Sequence, residues 1–188
     1  MKTQSKQNLK PYKPIFETKV FAEMIVFIAL AAALSLVSHS IFVMPESGSI
    51  NLGMIPIFWL ALRRGPKIGI FSGAVFGLVD IVVSPSSIVN PAQFILDYPL
   101  AFACLGLAGL FRKLTLAGPA IGVVVGGFAR FLCHFASGVI FFSMYAPEGM
   151  NPYLYSAIYN ATYMAPAIAI CTAFILILQK SNLIEIYK

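Results

Sequence analysis

The sequence predicts an all-α integral membrane protein with six transmembrane helices in one bundle. Of its 188 residues, 59% are hydrophobic and only 11% are charged, whereas a soluble domain carries roughly a quarter charged residues. A soluble globule of this size leaves much of its surface in contact with water, so this composition fits a surface that is solvated by lipid. The apolar residues also lie in continuous runs without alternation, which argues against a membrane β-barrel.

Six apolar runs follow one another along the chain, at residues 21–37, 52–62, 68–83, 92–111, 118–142 and 153–178. A helix needs about 20 residues to cross the hydrocarbon layer. The second and third runs are short. Because the second run also contains Pro56, we expect the second run to extend back towards Ile41 or to be tilted and partly irregular. The first run continues beyond Ala29-Leu30-Ala31, where a signal peptidase would cut, and we predict an uncleaved span.

The distribution of positive charge predicts the orientation. Five of the 13 Lys and Arg residues lie within residues 1–20, three within 63–67, two at 112–113 and two from residue 180 onwards, while the loops at 40–50, 84–91 and 143–152 contain none. The positive-inside rule then places both termini in the cytoplasm, which requires an even number of spans. We divide the chain into a basic cytoplasmic arm (1–20), a six-helix membrane domain (21–180) and a cytoplasmic tail (181–188).

Polar side chains within the apolar runs are candidates for function, because they are costly in lipid. The ionisable ones are Glu23, Asp80, Asp97, Arg130 and His134, and Asn160 is the most notable amide. Asp97, His134 and Asn160 come from three different runs, each roughly 8–12 Å from the outer end at a rise of ~1.5 Å per residue.

Tyrosine and phenylalanine residues cluster at the same depth as these three side chains. A carboxylate among aromatic faces and hydrogen-bonding groups suits the capture of a small, flat, cationic organic molecule. Alternatively, Asp97 pairs with Arg130 and only joins two helices.

Sequence motifs for other chemistry are missing. There is no phosphate-binding GxxxxGK[ST] loop, no HExxH and no GxSxG, and only two histidines are present. The three cysteines form no CxxC, and no basic stretch is interleaved with aromatics as in single-strand nucleic-acid binding. We predict no catalytic residue, metal, cofactor or nucleic-acid partner. Two alternatives stay open: a small intramembrane enzyme with Asp97 and His134 as acid and base, and a structural subunit whose polar groups join helices.

Small residues recur at four-residue spacing and predict close helix packing. They are Gly69, Gly73 and Gly77 in the third run, Gly122 and Gly126 in the fifth, and Ala29 and Ala33 in the first. The alanine pair could instead meet a different subunit.

Several segments resemble one known family, the thiamine-specific substrate-binding (S) components of energy-coupling-factor (ECF) vitamin transporters. The similar segments are residues 51–58 (NLGMIPIF), 60–65 (LALRRG), 93–102 (QFILDYPLAF), 105–112 (LGLAGLFR), 134–142 (HFASGVIFF) and 155–160 (YSAIYN). The resemblance covers roughly residues 20–180. It implies the six-helix S-component fold in a bacterial cell membrane and high-affinity capture of thiamine from outside. It also implies docking on a coupling module that consists of a transmembrane protein and two ATPase subunits.

The resemblance also implies roles for individual residues. The ligand-binding positions of the family fall on Asp97, Tyr98, His134, Gly138, Phe142, Tyr155 and Asn160, and its small-residue docking motif falls on Ala29 and Ala33. Some members have glutamate in place of Asp97 and tryptophan in place of Phe142. The alternative ligands within this class are a thiamine precursor or analogue, or another vitamin.

Overall fold

The computed structural model describes residues 17–41, 44, 48–84, 88–112 and 117–181. These residues form six main helices, α1 (Thr18–Ile41), α2 (Met54–Arg64), α3 (Pro66–Val83), α4 (Pro91–Leu110), α5 (Gly118–Phe141) and α6 (Pro152–Lys180). All of them except α2 are long and apolar enough to cross a membrane. The predicted all-α membrane bundle is confirmed, whereas most of the proposed arm and tail, residues 1–16 and 182–188, lies outside the described residues.

The helices run alternately between two ends of the bundle, which we call the Ser84 end and the Gly65 end. Each of α3, α4, α5 and α6 has a proline in its first turn, where the missing N–H costs nothing because it would be unpaired anyway. At the Ser84 end, Asn90 and Asn151 also cap α4 and α6, each accepting a hydrogen bond from the backbone N–H two residues later at 2.8 Å.

The predicted glycine stripe of α3 forms the closest helix contact. A Cβ atom at Gly73 would lie 2.2 Å from the carbonyl oxygen of Phe102 in α4, and one at Gly77 would lie 2.5 Å from the carbonyl oxygen of Tyr98. On the opposite side, a Cβ atom at Gly106 would lie 2.1 Å from the backbone nitrogen of Ile70. The backbones of α3 and α4 therefore touch, which fixes the position of α4 along α3.

Helix α2 is short because it starts in the middle of the bundle. Its 11 residues span only about 16 Å. Gly53, just before it, packs so closely on the carbonyl oxygen of Ala31, in the middle of α1, that a Cβ atom there would lie 2.6 Å away. Residues 48–53 cover the remaining depth as irregular backbone, which is tolerated inside a membrane only where protein or a cavity surrounds it. The prediction of a partly irregular second span is therefore correct.

The bundle is apolar on its outer surface as well as inside. Large side chains such as Val26, Phe128 and Ile177 are more than half exposed, as expected where lipid replaces water. Helix α2 is the central element, since Ile57, Phe58 and most other residues along it are buried.

Helix α4 changes its winding along its length. It is α-helical up to Ile95, a π-helix at Leu96–Leu100, α-helical again at Ala101–Cys104 and a 3-10 helix at Leu105–Leu110. Pro99 lies within the π-turn and has no N–H to give to a regular α-helical ladder. π-turns occur often at functional sites, and this one contains Asp97 and Tyr98.

Candidate functional site

A cavity lies between five helices towards the Ser84 end of the bundle. Its volume is about 130 Å³, well above the ~15 Å³ that a single water needs. Its wall contains all seven predicted ligand-binding residues: Asp97, Tyr98, His134, Gly138, Phe142, Tyr155 and Asn160. Residues that are up to 63 positions apart in the sequence therefore converge on one space, as the sequence predicts, and the binding role of each stays a prediction.

Asp97 is held by three hydrogen-bond donors. Its Oδ1 atom lies 3.0 Å from Nδ1 of His134, while Oδ2 accepts from Nε2 of Gln93 at 2.8 Å and from the hydroxyl of Ser137 at 2.7 Å. These donors come from α4 and α5. Together they fix the orientation of a carboxyl group that lines the cavity.

Arg130 fixes the tautomer of His134. Its Nε–H donates to Nε2 of His134 at 3.1 Å, so that Nε2 is the acceptor and Nδ1 carries the proton that faces Asp97. Arg130 thus reaches Asp97 through His134, and the geometry does not show the direct Asp97–Arg130 pair weighed in the sequence analysis. The guanidinium also lies 3.8 Å from the ring centre of Phe102, within range of a cation–π contact.

Asn160 occupies the α6 side of the cavity. Its Nδ2 donates to the carbonyl oxygen of Ser156 at 2.8 Å, and its Oδ1 accepts from the hydroxyl of Tyr163. These two contacts fix the orientation of the amide. Next to it, Gly138 lets α5 and α6 approach, because a Cβ atom there would lie 2.2 Å from Oγ of Ser156.

A second buried carboxylate, Asp80, lines the same cavity from α3. It accepts hydrogen bonds from the hydroxyl of Ser35 and from Nδ2 of Asn51, the latter at 3.2 Å to each oxygen. Ser35 in turn lies 3.0 Å from the hydroxyl of Ser84. This cluster joins α1, α3 and the irregular segment before α2.

Aromatic side chains line the cavity towards its Ser84 end. Phe142 and Tyr145 lie with their ring centres 6.2 Å apart, and Tyr155 stacks with Tyr159 at 6.0 Å. The hydroxyl of Tyr159 also accepts a hydrogen bond from the backbone N–H of Gly48 at 3.0 Å. The irregular segment before α2 is thereby attached to α6 across the cavity.

The charges around the cavity favour a cation. Its lining contains two carboxylates, Asp80 and Asp97, one guanidinium, Arg130, and the two imidazoles of His39 and His134. With both carboxylates ionised and both imidazoles neutral, the described lining has one net negative charge. A ligand with one positive charge and flat rings would balance it and stack on the aromatic groups.

Sequence reasoning missed the supporting residues. The sequence does not single out Gln93 or Ser137, although Gln93 lies one helical turn before Asp97, a spacing that puts the two on one face. The sequence identifies Asp80 only as an ionisable group in a span, since nothing in it places Ser35 or Asn51 beside this carboxylate. Among the described residues, no three His, Cys, Asp or Glu side chains are grouped closely enough to hold a metal ion.

Comparisons with known proteins give the family. The model of the thiamine transporter protein family (Thia_YuaJ) matches residues 21–186. The chain is 37% identical over 168 residues to the thiamine transporter ThiT of Bacillus subtilis (strain 168), which covers 83% of this chain and 88% of the relative. It is 36% identical over 156 residues to ThiT of Lacticaseibacillus paracasei, which covers 75% and 77%.

A solved structure of ThiT from Listeria monocytogenes superposes with a TM-score of 0.78 at 28% identity, covering 87% of this chain and 94% of that one. The resemblance seen in the sequence motifs is therefore confirmed, and with it the class of transport proteins rather than enzymes. The chain belongs to the thiamine transporter family.

Proposed function

We propose that this chain is a substrate-binding S component that captures thiamine in the cavity between α1, α3, α4, α5 and α6. The observation that carries this proposal is the oriented Asp97 carboxylate among aromatic rings. Thiamine has a permanently cationic thiazolium ring and a flat pyrimidine ring. An anion and aromatic faces attract such a cation, and directional groups such as Asn160 suit a heteroaromatic ring.

We assign the ligand roles by the family resemblance, and the convergence of these residues on one cavity supports the assignment. Asp97 balances the charge of the cationic ring, and Tyr98 and His134 lie beside it in the lining. Phe142 provides a stacking face, Tyr155 and Asn160 hydrogen-bond to the ligand, and Gly138 keeps α5 and α6 close together at this point of the lining. Two similar thiamine transporters, 36–37% identical to this chain, support the choice of thiamine over other cations of the same size.

The direct test is titration calorimetry of the purified chain with thiamine. We expect saturable binding of one thiamine per chain. A pyrimidine-only analogue, which lacks the cationic ring, should bind far more weakly. Equal binding of this analogue would show that the ring charge is not recognised and would favour a precursor as the ligand. Binding of riboflavin or biotin without thiamine binding would contradict the proposal.

The second part of the proposal concerns energy coupling. The chain would dock on a transmembrane coupling protein with two ATPase subunits, as the ECF resemblance implies. Ala29 and Ala33 lie on the exposed side of α1, and small residues at this spacing let a partner helix approach closely. Ala29→Trp should therefore abolish thiamine uptake by cells while leaving the affinity of the purified chain unchanged. Unchanged uptake would exclude this face as the docking surface.

The orientation is part of the same proposal. The Arg and Lys residues at the Gly65 end predict that this end faces the cytoplasm of a bacterial cell, so that the cavity opens outwards. A green fluorescent protein fused to the C-terminus should fluoresce, and alkaline phosphatase at the same position should be inactive. The reverse result would overturn the orientation.

A further inference from the structure

Gln93 is a buried polar side chain with no part in the proposed ligand contacts. Only 2% of its surface is exposed, and burying an amide is costly unless it is hydrogen-bonded. Both the oxygen and the nitrogen of this amide form hydrogen bonds. Oε1 accepts from the backbone N–H of Val89 at 3.2 Å, and Nε2 donates to Oδ2 of Asp97 at 2.8 Å.

The first of these contacts determines the second. The N–H of Val89 is a donor, so the carbonyl oxygen of the Gln93 amide must face it. The NH₂ group is then directed at Asp97, and a flipped amide would place two donors together at Val89. The segment that precedes α4 therefore sets the orientation of the amide, and the amide sets that of the carboxylate.

Ser137 completes this arrangement from the neighbouring helix. Its hydroxyl donates to the same Oδ2 atom at 2.7 Å, so that this oxygen is held from α4 and α5 at once. The other oxygen faces His134. Hydrogen bonds to a charged group are among the strongest in proteins, and these donors hold Asp97 in one rotamer before a ligand arrives.

We propose that Gln93 is a positioning residue, which presents the Asp97 carboxylate to the cationic ligand in a fixed rotamer and ties it to the backbone at Val89, with Ser137 as the second donor. This inference rests on the proposed function. Its mechanism is preorganisation: affinity increases because the ordering cost is met in the empty protein.

The first test is Gln93→Leu in the full chain, with thiamine affinity measured by calorimetry. We expect binding to weaken by about tenfold to a hundredfold, the range expected when a charged group loses one hydrogen bond. The matched control is Gln179→Leu, the same exchange in the last turn of α6, outside the cavity lining, and it should bind like the wild type. If the wild type binds thiamine and Gln93→Leu binds it equally well, the positioning role is wrong and the proposed function stands. If the wild type itself does not bind thiamine, the proposed function fails.

A second variant separates hydrogen bonding from packing. Gln93→Glu keeps the shape of the side chain but replaces the donor with a carboxylate, so binding at neutral pH should be weak. Acidification protonates the introduced carboxylate and restores a donor. The affinity of this variant should therefore recover relative to the wild type at low pH. The difference from the wild type is the relevant readout, because Asp80, Asp97, His39, His134 and Arg130 are common to both proteins. A Glu variant that stays equally impaired relative to the wild type at every pH would contradict the proposal, and this variant decides the question if Gln93→Leu does not fold.

A double-mutant cycle shows whether Gln93 acts through Asp97. In the Asp97→Ala background, Gln93→Leu should change the affinity by less than about twofold, because the group that it positions is gone. If the affinity losses of the two single variants add up in the double variant, Gln93 acts on the ligand directly or through the general stability of the fold.

Discussion

At the scale of single residues, the cavity holds polar side chains in fixed orientations by chains of hydrogen bonds. The Arg130–His134–Asp97 series determines which imidazole nitrogen carries a proton. Because Arg130 is permanently charged, this series should keep His134 as a donor towards Asp97. A neutral imidazole does not cancel the negative charge of Asp97, which stays available to a cation. Its hydrogen bond to Asp97 also limits the rotation of the carboxylate.

Replacement of Asp97 by asparagine tests the charge directly. Asp97→Asn keeps the size of the side chain but removes the charge, and it places an NH₂ group among donors. We expect thiamine affinity to fall by at least tenfold, since a charged hydrogen-bonded contact contributes about 1.5–3 kcal/mol. Calorimetry measures the change. Glu23→Gln serves as the control, because Glu23 pairs with Arg63 and Arg64 at the far end of the bundle, and it should leave the affinity intact.

Tyr159 offers a second prediction at this scale. Its hydroxyl accepts the hydrogen bond from Gly48, and Tyr159→Phe removes it while keeping the ring that stacks on Tyr155. A neutral hydrogen bond contributes about 0.5–1.5 kcal/mol, so thiamine should dissociate roughly twofold to tenfold faster in stopped-flow fluorescence. An unchanged dissociation rate would show that this contact does not restrain the bound ligand.

At the scale of secondary structure, the α3–α4 contact determines where the cavity lies. The glycines of α3 allow α4 to approach until the backbones touch, and this approach brings the π-turn of α4 beside Asp80. The sequence predicts the close packing from the four-residue spacing of the glycines. It does not predict the π-turn, since a single proline such as Pro99 is compatible with a kink, a π-turn or a helix end.

Enlargement of the α3 stripe should therefore weaken the whole fold. Gly73→Ala places a methyl group only 2.2 Å from the carbonyl oxygen of Phe102. Such overpacking costs about 1–3 kcal/mol of stability. We expect a lower unfolding temperature of the purified protein in detergent. Ala29→Leu adds more volume on the exposed side of α1 and should leave this temperature nearly unchanged. If both variants melt alike, the α3–α4 contact does not limit stability.

At the scale of the whole molecule, the helices and the general place of the site are predictable from sequence, whereas the internal partners are not. Long apolar runs have to become membrane helices, so α1, α3, α4, α5 and α6 follow from length and hydropathy alone. Asp97, His134 and Asn160 are recognisable because polar groups are rare in such runs. The contacts of Asp80 with Ser35 and Asn51 depend on tertiary packing, for which local patterns carry no signal.

Binding should stabilise the bundle as a unit, because the cavity is lined by five of its helices. The stabilisation follows RT ln(1 + [L]/Kd), about 4 kcal/mol at a thousandfold excess of ligand over Kd. Thiamine should therefore raise the unfolding temperature of the wild type. Choline, a cation without aromatic rings, should not do so at the same concentration. An equal shift with both would mean that the cavity responds to charge alone.

The start of α2 in the middle of the bundle has a consequence for how the chain tolerates changes of length. Connections between helices usually accept extra residues, but the segment before α2 is attached on both sides of Ser49, for example from Gly48 to Tyr159 at 3.0 Å and from Leu52 to the hydroxyl of Ser38 at 3.1 Å. Two residues inserted between Ser49 and Ile50 would move one attachment out of reach, and we expect loss of thiamine binding. The same insertion after Gly149, in an exposed turn, should be harmless. In this fold, an apparent linker is as sensitive to its number of residues as the interior of a helix.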